Sequence, residues 1–260
     1  VARASGTVVR DALELEIHHA LADGGNPATV QLDESAQTAT LRFAESLAAG
    51  PHRLRLEFTG KIGQTAPGLF AVDYPAEGSE RRMLTTQFEV ADARRFVPMW
   101  DEPSAKATFA LEVVIPQGQS AYSNMPVASS AEANGKQVVR FATSPRMSSY
   151  LLHLTVGDLE RISRKAAGVE IGIVTREGAA EQGRVALDAA VEILPWYNDY
   201  FGTSYPLPKL DMIAVPGTSQ FFGAMENWGA IMYFEQALLM DPQISSESDR
   251  LNIYDAVAHE

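Results

Sequence analysis

The chain has 260 residues, 46% hydrophobic and 21% charged, enough apolar side chains for a buried core under a solvated surface. A formal net charge of −12 excludes the basic footprint of a nucleic-acid-binding protein, and the lack of cysteine excludes a disulfide framework and a thiol nucleophile. No apolar run reaches the ~18 residues of a membrane helix, so no membrane span is expected.

From Val1 to about Arg161 the patterning is mostly period two. Thr7–Arg10, Leu13–His19, Ala39–Phe43 and Arg53–Phe58 alternate apolar and polar side chains, and turn clusters such as Asp23-Gly24-Gly25-Asn26-Pro27 separate them. Thr85–Val90, Ala107–Ile115, Gln137–Phe141 and Tyr150–Val156 are further strand candidates. Short strands at this spacing predict a β-sandwich. In an extended Thr85–Val90, Thr86, Phe88 and Val90 share one face and Thr85, Gln87 and Glu89 the other. Phe88 and Val90 are therefore expected in the core, with Gln87 and Glu89 pointing outward together; taken alone, that is a solvated face.

Arg161–Gly168 reads as a linker, followed by a strand over Val169–Thr175. Gly183–Tyr200 then switches to helical spacing, with Val185, Ala189, Ile193 and Trp196 in one stripe broadened by Leu187, Val191 and Leu194. Pro195 is expected to kink this helix or end it early. Met212–Val215 and Ala230–Phe234 read as extended. Ser245, Ser246 and Ser248 are cap candidates for a final helix through Leu251, Tyr254 and Ala258, which puts His259 and Glu260 in its last turn. The change of period predicts two domains, 1–163 and 164–260. His18, His19, His52 and His153 lie in the strand region without metal-ligand spacing.

Two clusters carry chemistry. Ala258-His259-Glu260 is the first half of His-Glu-x-x-His, in which two histidines on one helix face hold zinc beside a glutamate. Alone, the dipeptide means little. About 30 residues upstream lies Gly223-Ala224-Met225-Glu226-Asn227-Trp228-Gly229, preceded by Tyr205-Pro206-Leu207-Pro208-Lys209-Leu210-Asp211 and Ala214-Val215-Pro216. In this order and spacing the segments resemble the zinc metallo-aminopeptidases of the aminopeptidase N and puromycin-sensitive type. Gln87-Phe88-Glu89, followed by Ala91–Phe96, Trp100-Asp101-Glu102-Pro103 and Lys106–Phe109, resembles the same family's second signature.

The resemblance implies a β-rich N-terminal saddle or sandwich domain followed by the first part of an α+β thermolysin-like catalytic domain. It implies peptide substrates with a free amino terminus, held by Glu226 together with Gln87 and Glu89. The stretch Gly223, Ala224, Met225 and Asn227 would lie along the substrate. His259 would be a zinc ligand and Glu260 the general base. The second histidine and the glutamate ligand of the family do not occur after His259, so the zinc site is expected to be incomplete and this chain by itself inactive. The chain reads as a fragment whose partner is the remaining C-terminal part of its parent enzyme, with a trimmed start. A non-catalytic peptide-binding module or pseudoenzyme is the alternative. Relatives with epoxide chemistry usually carry Gly-Gly-Met-Glu-Asn, and Ala224 and Trp228 favour the plain aminopeptidases.

Overall fold

The computed structural model describes residues 1–76, 78–218, 223–241 and 243–260. They divide into two compact units: Val1–Leu69 with Gln87–Ala105 and Ser148–Tyr150, and Phe70–Thr86 with Lys106–Met147 and Leu151–Glu260.

In the first unit the alternating stretches become β1 (Ser5–Asp11), β2 (Leu15–Ala22), β3 (Asn26–Asp33), β4 (Thr38–Leu47) and β5 (Leu54–Gly60). They pair antiparallel in the order β1-β4-β3-β2-β5. Asp23 and Gly24 both take positive φ in the β2–β3 turn, which the right-handed strand twist favours in hairpins. Every second side chain points inward, so Val8, Ala20, Ala22, Leu41, Phe43 and Leu47 form one buried cluster. A second anchor is Asp101, 1% exposed, which accepts from the Arg94 backbone N–H (3.0 Å), the Arg94 guanidinium (3.2 Å) and the Ser149 hydroxyl (2.6 Å). A buried carboxylate is tolerated because its oxygens are satisfied in this way.

The chain continues through β6 (Gly68–Ala76), β7 (Ser79–Gln87), β8 (Glu112–Pro116), β9 (Ser120–Ser123), β10 (Val127–Ala133), β11 (Lys136–Phe141) and β12 (Leu154–Gly157). These build a four-stranded sheet, β6-β7-β12-β9, and a three-stranded one, β10-β11-β8. The last part of the second unit contains β13 (Leu159–Ala166), β14 (Val169–Arg176), α1 (Arg184–Phe201), β15 (Lys209–Val215), β16 (Ala224–Met225), β17 (Ala230–Phe234), α2 (Glu235–Leu238) and α3 (Glu247–His259). Its sheet has the order β13-β14-β15-β17-β16. The β14–β15 and β15–β17 pairs are parallel and the outer pairs antiparallel. Helix α1 is the crossover that the parallel β14–β15 pair requires.

Three expectations change. Arg161–Gly168 is not a linker: most of it is β13, paired with β14 residue by residue from Leu159↔Arg176 to Ala166↔Val169. The expected 163/164 division falls inside this strand. Its polar sequence misleads because Arg161 is used within the sheet, paired to Asp211 and Glu170. Pro195 does not end α1, which runs to Phe201 and stops at the left-handed Gly202, whose N–H reaches Asn198 and Asp199 carbonyls. The buried stripe of α1 is Ala186, Leu187, Ala189, Ala190 and Leu194, rotated from the expected one, and Trp196 is 58% exposed. The α1 stripe packs with Ile171, Ile173, Met212, Tyr233, Ile253 and Val257. Ser246 does cap α3: it accepts from Asp249 N–H (3.3 Å), and the Asp249 carboxylate accepts from Ser246 N–H (2.7 Å).

Candidate functional site

The site is built where α3 ends beside the loop after β16. Ile253 and Val257 fix α3 to the core, and the Tyr197 hydroxyl donates to the Ala258 carbonyl at 2.6 Å, which holds the last turn. His259 is exposed as the final helical residue, and Glu260 is half-buried, its N–H reaching the Ala256 carbonyl at 3.2 Å.

The Gly223–Gly229 stretch is held from both sides of a tight turn. Ala224 and Met225 pair antiparallel with Tyr233 and Met232, and Phe234 N–H donates to the Gly223 carbonyl at 2.9 Å. Met225 and Asn227 are buried, whereas Glu226 between them is exposed. Asn227 N–H bonds the Met225 carbonyl (2.8 Å), and Ala230 N–H bonds the Asn227 carbonyl (3.1 Å), so the backbone folds back at once. Burying the flanking side chains leaves the Glu226 carboxylate to face the space outside the turn.

That space is a cavity of about 520 Å³ lined by Glu226, Asn227 and Glu260, with Ile193, Leu194 and Tyr197 of α1 and the rings of Tyr205 and Trp228. Two carboxylates on mostly apolar walls suit a cationic group with an apolar attachment. Tyr233 lines it too, fully buried, its hydroxyl pushed well above the usual phenol range first by burial and then by the Glu260 charge. The Tyr205 hydroxyl is raised as well, chiefly by burial.

Gln87 and Glu89 lie in the first unit. β7 ends at Gln87, so alternation stops there and the expected shared outward face does not form: Gln87 is 5% exposed while Glu89 is exposed. The Gln87 side-chain oxygen instead accepts from Glu89 N–H at 3.4 Å. Phe88 is buried against Phe96, with ring centroids 5.4 Å apart, but Val90 is 57% exposed rather than in the core.

Sequence reasoning missed a buried charge network behind the Glu226 turn. Lys209, 8% exposed, donates to Asp211 (2.9 Å) and to the Gly229 carbonyl (2.5 Å). Asp211 also accepts from Arg161 (2.8 Å), which in turn reaches Glu170 (2.6 Å). Burial lowers the Lys209 pKa, and Asp211 opposes that shift. The signal available was Lys209-Leu210-Asp211, two charges at i and i+2 within an otherwise apolar strand, which alternation places on one face.

Among the described residues no three His, Cys, Asp or Glu side chains are grouped to hold a metal ion. His259 is the one imidazole at the α3 terminus, so these residues by themselves do not fit a zinc ion with three protein ligands.

An antiparallel β-rich first part is followed by a mixed sheet with helices, in which the Gly223–Gly229 turn lies beside a His-Glu helix end. The Peptidase M1 N-terminal domain matches residues 3–151 and the Peptidase family M1 domain matches residues 185–260. The chain belongs to peptidase family M1, which is zinc-dependent. It is 48% identical over 248 residues to "Aminopeptidase N" of Acetobacter pasteurianus, covering 95% of this chain and 70% of that one. It is 40% identical over 235 residues to "Aminopeptidase M1-B" of Oryza sativa subsp. japonica, covering 90% of this chain and 27% of that one. With "Puromycin-sensitive aminopeptidase" of Caenorhabditis elegans it shares 39% over 242 residues, 92% of this chain and 25% of that one. The chain thus spans about a quarter of the length of the rice and nematode relatives. No helix among the described residues is long and apolar enough to cross a membrane.

Proposed function

We propose that this chain contributes the amino-terminus-binding side of an aminopeptidase, which releases the first residue from peptides with a free amino terminus. The observation that carries the reading is the pair of carboxylates, Glu226 and Glu260, lining one largely apolar cavity of the second unit. An exopeptidase has to recognise the end of a chain, and the protonated amine is the one cation every free amino terminus carries. In this reading Glu226 receives the ammonium. Backbone groups of Gly223 and Ala224, with Met225 and Asn227 behind them, lie along the substrate. Glu260 takes the proton of the attacking water and passes it to the leaving amine, as a positioned general base does. In this reading the β-rich domain comes first and the beginning of the catalytic one follows, starting with the β13–β14 hairpin.

His259 is the zinc ligand this chain contributes. Zinc held by His259 together with further ligands would supply Lewis-acid chemistry to a carbonyl and to water. With one such ligand, residues 1–260 by themselves do not cleave substrate. The test uses a longer polypeptide that carries these residues together with a complete ligand set, offered a peptide with a free and with an acetylated amino terminus. Release of the first residue from the free peptide only is the expected result. Equal rates on both would overturn the reading.

A further inference from the structure

The turn that carries Glu226 is supported from behind by two side chains that do not line the cavity. Lys209 Nζ donates to the carbonyl of Gly229 at 2.5 Å. Asn124 Nδ2 donates to the carbonyl of Trp228 at 2.9 Å and to that of Leu151 at 2.7 Å, while its Oδ1 accepts from His153 N–H at 2.8 Å. Adjacent carbonyls of one turn are therefore gripped by side chains from two different sheets, since Lys209 belongs to β15 and Asn124 directly follows β9. We infer that Lys209 and Asn124 are positioning residues for Glu226, acting through the Gly229 and Trp228 carbonyls; for catalysis this rests on the aminopeptidase reading above.

Three features make the grip specific. First, Lys209 is nearly buried, and a buried ammonium is costly unless it is paired and hydrogen-bonded. Asp211 neutralises it, and Arg161 with Glu170 completes a set of two cations and two anions, so the ammonium has a fixed direction. Second, a charged donor holds a carbonyl about twice as strongly as a neutral one. Third, the space between the two supports admits no side chain: Gly229 has φ +71°, and a Cβ there would lie 2.4 Å from the Asn124 carbonyl oxygen. Glu226 stands three residues from this pinned glycine across the turn closed by Asn227 and Ala230. Loosening the carbonyls frees the carboxylate to move, while the cavity wall on α1 stays as it is.

The experiment measures amide hydrogen exchange by mass spectrometry on the 260-residue chain, comparing wild type with Lys209→Met and Asn124→Asp. Met matches the Lys stem as far as Cε and removes the ammonium with its donors. Asp keeps the shape of Asn and the acceptor for His153, so it decides the matter alone if Lys209→Met yields no folded protein. Expected is at least about tenfold faster exchange at residues 223–234 in both variants, joined in Asn124→Asp by the segment around Leu151, with α1 and the β13–β14 hairpin unchanged. Unchanged exchange at 223–234, or an equal increase throughout the unit, would overturn the clamp whatever the enzyme does. In an active longer polypeptide the same variants should raise KM for a free-amine substrate about tenfold with kcat little affected. A fall in kcat at unchanged KM would overturn the positioning role, whereas an inactive wild type would count against the functional reading alone.

Discussion

Replacing Gly229 by alanine puts the packing of the Glu226 turn to a quantitative test. The residue sits at φ +71°, where a Cβ would approach the Asn124 carbonyl oxygen to 2.4 Å, Leu207 Cδ1 to 3.1 Å and the Lys209 carbonyl oxygen to 3.4 Å. The left-handed conformation costs a residue with a Cβ about 1–2 kcal/mol. Pushing two backbone segments apart adds the overpacking range of about 1–3 kcal/mol. Gly168, in the β13–β14 turn of the same unit, is the internal control: it has φ +80° and nothing within 4 Å of a built Cβ. Gly168→Ala should therefore carry only the conformational cost, and Gly229→Ala about 1–3 kcal/mol more, roughly 2–12 °C in Tm for a unit of this size. The assay is thermal unfolding followed by tryptophan fluorescence in a Trp100→Phe background, so that Trp196 and Trp228 report the second unit. Equal destabilisation by the two substitutions would refute the argument that Gly229 is wedged between Asn124 and Lys209.

His153 is fully buried, its Nε2 2.8 Å from the Thr155 hydroxyl, and its pKa is lowered to about 3, first by burial and then by the Lys209 charge. The folded state thus excludes a proton that the unfolded chain takes up near pH 6.5. The contribution is fully present above that pH and is lost at about 1.4 kcal/mol per unit as pH falls toward 3. Between pH 6.5 and 5 wild type should lose about 2 kcal/mol more than His153→Gln, read from urea midpoints; equal pH dependence would contradict this. The purified 260-residue chain should contain well under one zinc per molecule and release nothing from a chromogenic aminoacyl amide. Stoichiometric zinc with chelator-sensitive hydrolysis would show that other residues complete the site.

Local pattern made much of this molecule legible. β1, β4, β11, β14 and β17 follow from alternation or apolar runs, and α3 from Ser246 and its spacing. What stayed hidden depends on partners distant in sequence. β13 resembles a linker because Arg161, Arg164 and Lys165 are charged, and only its pairing to β14 and the Asp211 carboxylate 50 positions away makes it a strand. Lys209 resembles a surface lysine until β15 and β17 align and bring the Gly229 carbonyl to its ammonium. The Gln87–Glu89 face failed for the opposite reason, since alternation was extended past Gln87, where the strand stops.

The central claim is that Glu226 recognises the free amino terminus, and Glu226→Gln in an active longer polypeptide tests it directly. The substitution keeps the shape of the side chain and removes the charge that faces the ammonium. Loss of one partner of such a pair corresponds to about 2–5 kcal/mol in kcat/KM for free-amine peptides, with no comparable loss for acetylated ones. The account predicts that the preference for free over acetylated peptides collapses in the variant. An unchanged preference, at whatever absolute rate, would contradict it.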